Sequence, residues 1–82
     1  MTDRLCETLK GLLAERDVPY DAAALLARVD KATISRIATG KIRARPETVV
    51  ALARALGVSA RRMQAACDAS YAAAHPEERV PA

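Results

Sequence analysis

Between Tyr20 and Gly40 the chain has room for two short helices joined by a turn of only a few residues, and the side chains sort accordingly. Ala23, Ala24 and Ala27 recur at helical spacing, with Leu26 beside them, which predicts a helix over about 20–27 that is slim on one side. Arg28-Val29 breaks the pattern, and Asp30 is a suitable N-cap for a second helix over 31–39. That helix carries Ile34 and Ile37 three residues apart, as inward anchors, and stops at Gly40, a residue favoured just past a helix end. Two helices that cross at a slim alanine face, with Val29 as an apolar plug in the turn, lock at a fixed angle. Lys31, Ala32, Ser35 and Arg36 are then left on the outward face, uncommitted to any core.

Three further helices are predicted around this unit. Leu5, Leu9, Leu12 and Leu13 mark a first helix from about Asp3 to Arg16, with Asp3 and Glu7 near its positive dipole end, broken by Asp17-Val18-Pro19. Pro46 fits a first helical position, and Val49, Leu52, Ala53 and Leu56 form the apolar face of a fourth helix closed by Gly57. Ser59 caps a fifth helix over about 59–75, in which Met63, Ala66, Cys67, Ser70, Tyr71 and Ala74 fall on one stripe. Pro76 ends it, and residues 77–82 read as a frayed tail. The expected architecture is therefore all-α, a five-helix bundle in a single domain over residues 1–76. Abundant alanine, the best helix former, supports it, and no alternating β-branched stretch competes.

Charge narrows the partner. From Arg28 to Arg62 there are nine basic residues and only Asp30 and Glu47 opposing them, a local balance of +7 against −4 in the rest of the chain. One basic patch on an acidic body is the electrostatic footprint of a polyanion binder. No apolar run approaches the roughly 20 residues that span a membrane, and no signal-peptide pattern opens the chain, so a cytoplasmic protein is expected. Cys6 and Cys67 lie far apart with no CxxC pattern, which suits reduced thiols and a packing role. His75, alone beside Pro76, favours a helix-end or solvent role over metal binding. With no nucleophile–base set, paired carboxylates or glycine-rich phosphate loop, neither an enzyme nor a cofactor is expected.

The stretch from Ala24 to Lys41, containing Thr33-Ile34-Ser35-Arg36-Ile37 and Gly40-Lys41, resembles the lambda-repressor-like (Cro-type, XRE) helix-turn-helix family. Pro46-Glu47-Thr48 and the run Leu52-Ala53-Arg54-Ala55-Leu56-Gly57-Val58-Ser59 continue the likeness, which covers about Leu9 to Ser59. Two positions depart from the family pattern. Arg28 stands where a turn glycine is usual, and Pro19 stands where a threonine cap is common, which bears on where the second helix starts. The resemblance implies a bundle that binds double-stranded DNA as a symmetric dimer, with helix 31–39 in the major groove. It puts Lys31, Ala32 and Arg36 at base-reading positions. Tyr20, Thr33, Ser35, Thr39, Lys41, Arg43 and Arg45 fit phosphate contacts. Arg54, Arg61 and Arg62 could equally face away from DNA or pair with acids.

The expected function is a transcriptional regulator, a repressor or autoregulator on an inverted-repeat operator. The stripe Met63, Ala66, Cys67, Ser70, Tyr71 and Ala74 is the expected homodimer seam. The alternative is a protein-interaction or antitoxin-like module that holds a protein partner on the same stripe.

Overall fold

Thr8 turns the chain into its first helix: its hydroxyl accepts the Gly11 amide at 3.1 Å. The computed structural model describes residues 7–75. Over that span the chain forms α1 (Leu9–Glu15), α2 (Tyr20–Ala27), α3 (Lys31–Ala38), α4 (Pro46–Leu56) and α5 (Ala60–Ala74), with no strand among the described residues. Helix one is shorter than its leucine spacing suggests, because Glu7 and Thr8 are not helical and Thr8 is extended as a cap. Asp3, Leu5 and Cys6 lie outside the described residues. Helix three ends at Ala38, with Thr39 as its C-cap.

Four of the five helices end in the same way. Asp17, Arg28, Gly40 and Gly57 all have positive φ, at 59°, 62°, 80° and 71°. After each, the next amide reaches back to a carbonyl five residues earlier: Val18 to Leu13, Val29 to Ala24, Lys41 to Arg36 and Val58 to Ala53, at 2.8–3.0 Å. This Schellman closure satisfies carbonyls that the helix itself leaves open. It usually brings an apolar residue back onto the helix, and here Val18, Val29 and Val58 all pack against the core. Arg28 adopts the left-handed conformation directly, at φ 62° and ψ 44°, for a strain of about 1 kcal/mol.

The core gathers Leu9, Leu12 and Leu13 of α1, Ala23, Ala24 and Ala27 of α2, Ile34 and Ile37 of α3, Val49, Leu52, Ala53 and Leu56 of α4, and Met63, Ala66 and Cys67 of α5. Helix α4 packs on α2 and α5, while α3 is held between α2 and α5. Polar ties brace α1 at both ends. The buried Ser70 hydroxyl accepts the Leu9 amide at 2.9 Å, and Arg16 donates to the Leu56 carbonyl at 3.3 Å. Burial pushes the Cys67 thiol up to about 11, so it stays protonated and serves as a small apolar filler.

The fifth-helix stripe is thereby corrected. Met63, Ala66, Cys67 and Ser70 are each 3% exposed or less within a single chain, and no partner can reach them. Their helical spacing reflects the chain's own core: α5 is the central wall against which α1, α3 and α4 lean. Tyr71 is half-buried and Ala74 exposed. Leu26 differs too. It does not join the alanines beside it but is 58% exposed, and Leu25 is 79% exposed. The inward arc of α2 is filled by side chains small enough for α3 and α4 to approach closely, so both leucines are left outside.

Candidate nucleic-acid interface

Helix α3 is anchored from within by Ile34 and Ile37, each 1% exposed or less, which fixes the direction of the rest of its surface. Positions 31 and 35, and 32 and 36, are four apart and therefore neighbours on the opposite arc. Lys31, Ala32 and Arg36 are exposed there, and Thr33 and Ser35 are half-buried at its margins. Arg36 forms no ion pair with any described residue, so its guanidinium keeps its full set of donors. Asp30 caps the helix with its backbone alone, its carbonyl accepting the Thr33 and Ile34 amides at 3.0 and 3.2 Å.

Lys31 is not wholly uncommitted. Its ammonium lies 3.1 Å from Asp21 of α2, with both side chains well exposed. A solvated pair of this kind contributes about 0–1 kcal/mol, so the lysine can exchange Asp21 for another anion at little loss. The sequence reading missed Asp21. Its spacing of ten residues from Lys31 matches no single-helix rule, and the pair exists only because the turn brings α2 and α3 together.

Beyond α3 the chain runs through an exposed basic loop. Lys41, Arg43 and Arg45 are all exposed, as is Thr39, whose hydroxyl donates to the Ser35 carbonyl at 2.8 Å and still offers its oxygen as an acceptor. Tyr20 opens α2 but is half-buried against the core, so only part of it remains available to a ligand. Arg43 stands apart from the other loop bases. Its guanidinium carbon lies 4.0 Å from the centre of the Tyr71 ring, while Tyr71 stacks on His75 with ring centres 4.1 Å apart and 22° between planes. His75 Nε2 is 2.7 Å from the Gly40 carbonyl, so that nitrogen carries the proton and donates. His75, expected only at a helix end or in solvent, thus pairs with Tyr71, and the arrival of Arg43 and Gly40 beside them leaves no mark in local spacing.

The basic stretch read from sequence divides in three dimensions. Arg62 leaves it altogether: Nε and Nη2 bind the two Glu7 oxygens at 3.0 and 2.8 Å, and Nη2 also meets Glu15 at 3.1 Å. The Arg62 hydrogen bonds hold the Glu7 carboxyl below its ordinary range against a smaller opposing effect of burial. Arg28 and Arg54 flank an open groove between α2 and α4, lined also by Leu26, Ala27, Ala51 and Ala55. Lys31 and Arg36 remain on α3, with Lys41, Arg43 and Arg45 immediately after it.

Compared with known proteins, the chain matches a family model described as a helix-turn-helix domain over residues 4–66. No curated protein and no solved structure matches it. The matched span includes α1 to α4 and stops inside α5, before Ser70, Tyr71 and His75. No helix among the described residues is long and apolar enough to cross a membrane.

Proposed function

Since the chain belongs to the helix-turn-helix domain family, we propose that it is a sequence-specific regulator of transcription that binds an inverted repeat in double-stranded DNA as a dimer, as a repressor or autoregulator. The observation that carries this reading is the exposed arc of α3, with Arg36 in no ion pair with a described residue, continuous with the exposed bases of the following loop. Helix α3 enters the major groove, where Arg36 makes a bidentate contact to guanine and Lys31 and Ala32 read neighbouring positions. Thr33, Ser35, Thr39, Lys41, Arg43, Arg45 and the accessible part of Tyr20 contact phosphates. The dimer uses surface other than the buried part of α5.

Selection from a randomised duplex library, followed by titration of the recovered site at several salt concentrations, tests this. An inverted repeat with half-sites about one helical turn apart is expected. With about four to six phosphate contacts per subunit, the log–log salt slope should be on the order of −7 to −11. Failure to enrich any sequence would overturn base reading, and a slope near zero would overturn the phosphate assignment.

One observation favours a second reading, a module that binds another protein. Leu25, Leu26 and Val50 are 79%, 58% and 42% exposed, and Leu26 borders the groove between α2 and α4. Under that reading the partner sits on α2 and α4, not on the α5 stripe, and Arg36 is dispensable.

A further inference from the structure

Arginine has two ways of being held, and this chain uses both. Arg62 is held by its edge, with Nε and Nη2 taken up by Glu7 and Glu15. Arg43 is held by its face, over the Tyr71 ring, and donates no hydrogen bond to any described residue. The difference is chemical. A carboxylate neutralises the guanidinium and occupies its N–H donors, whereas an aromatic face attracts the cation and leaves the donors in the guanidinium plane free. Arg62 thus has three of its five N–H donors and its charge engaged by carboxylates, while Arg43 is steadied over the ring with its anion-binding edge open.

The ring that holds Arg43 is itself fixed. Tyr71 stacks on His75, and His75 donates to the carbonyl of Gly40, three residues before Arg43. Gly40 closes the circuit from the other side, because its backbone lies so near α5 that a Cβ there would sit 2.6 Å from the Ser70 carbonyl oxygen. The last turn of α5 thus grips both ends of the segment from Gly40 to Arg43. Ile42, within that segment, is 40% exposed and supplies little anchoring of its own.

We propose that Tyr71 and His75 are positioning residues for DNA binding: they hold Arg43 face-on, so that its free edge is presented to a backbone phosphate. The proposal rests on the DNA-binding reading above. Its physical basis is preorganisation, since a long side chain already ordered loses less rotamer entropy when it forms its contact. It also gives the end of α5, beyond the residues matched by the family model, a part in the interface that its buried stripe cannot have.

The test is a double-mutant cycle on the full chain, read by titrating a duplex of random sequence at fixed salt, with the salt slope measured for each protein. Tyr71→Leu should weaken binding by about two- to fivefold, the scale of an exposed cation–π contact. Tyr71→Phe, which keeps the ring, should bind like the parent. Arg43→Ala should weaken binding and lower the salt slope by about one per subunit. Adding Tyr71→Leu to Arg43→Ala should then change nothing more. If Tyr71→Leu is equally damaging in both backgrounds, or harmless in the parent, the proposal is overturned. Should Tyr71→Leu fail to fold, His75→Ala, just past the helix end, replaces it in the same cycle with the same expectations. A parent protein with no salt-dependent affinity for duplex DNA would instead overturn the DNA-binding reading itself, a different and recognisable outcome.

Discussion

Arg36→Ala is expected to give a folded protein that still adheres to DNA but no longer prefers its own site. The side chain is exposed and forms no ion pair with a described residue, so its removal should change folding stability by no more than about 0.5 kcal/mol. What disappears is a bidentate contact to a guanine edge, worth about 1–3 kcal/mol of discrimination at each half-site. In a symmetric dimer the loss occurs twice. Specific affinity should therefore fall by at least one to two orders of magnitude, while affinity for random duplex falls only slightly. Thermal unfolding together with isotherms on the selected and scrambled duplexes separates the two effects. Equal loss on both duplexes would mean that Arg36 contacts phosphate. No loss on either would favour the protein-binding reading on α2 and α4.

The second large effect is expected at Gly40, for two independent reasons. Its φ of +80° lies in the left-handed region, where a Cβ adds about 1–2 kcal/mol of strain. A Cβ would also meet Ala74 Cβ and the Ser70 carbonyl oxygen, forcing α5 away from the end of α3 at a further cost of about 1–3 kcal/mol. Gly40→Ala should thus destabilise the domain by about 2–5 kcal/mol, a large part of the stability of a small fold. Gly57→Ala is the matched control. Its φ is +71°, yet a Cβ there would have nothing within 4 Å, so only the backbone strain applies. Urea unfolding of both variants measures the difference. Equal destabilisation would mean that the α3–α5 apposition is looser than described.

Both predictions bear on how far the chain could be read without its structure. The helix-turn-helix was legible because local chemistry dictates it. Alanines make α2 slim, Asp30 and Gly40 bracket α3, and Ile34 and Ile37 set its inward side. Given those anchors, the exposure of Lys31, Ala32 and Arg36 follows from helical geometry alone. The fifth helix was misleading for a reason just as physical. An amphipathic stripe declares that one face will be buried, but a face buried in a bundle and a face buried between two chains have the same period. Met63, Ala66, Cys67 and Ser70 satisfy either equally well, until the positions of α1, α3 and α4 are known.

Charge was ambiguous in a similar manner. Nine bases in one stretch read as a single patch, yet Arg62 is neutralised by Glu7 and Glu15, Arg28 and Arg54 border a groove, and Arg43 lies on an aromatic ring. Partners such as Glu7 and Arg62, 55 residues apart, leave no mark in local spacing. By itself the sequence determined the existence of the helices, the Ser59 cap of α5, the glycine stops after α3 and α4, the inward anchors and the outward arc of α3, because each depends on residues within a few positions of one another. Only the tertiary structure decided which apolar face is core and which arginine is held by its edge or by its face. Those depend on which helices meet, and close packing settles that across the whole chain at once.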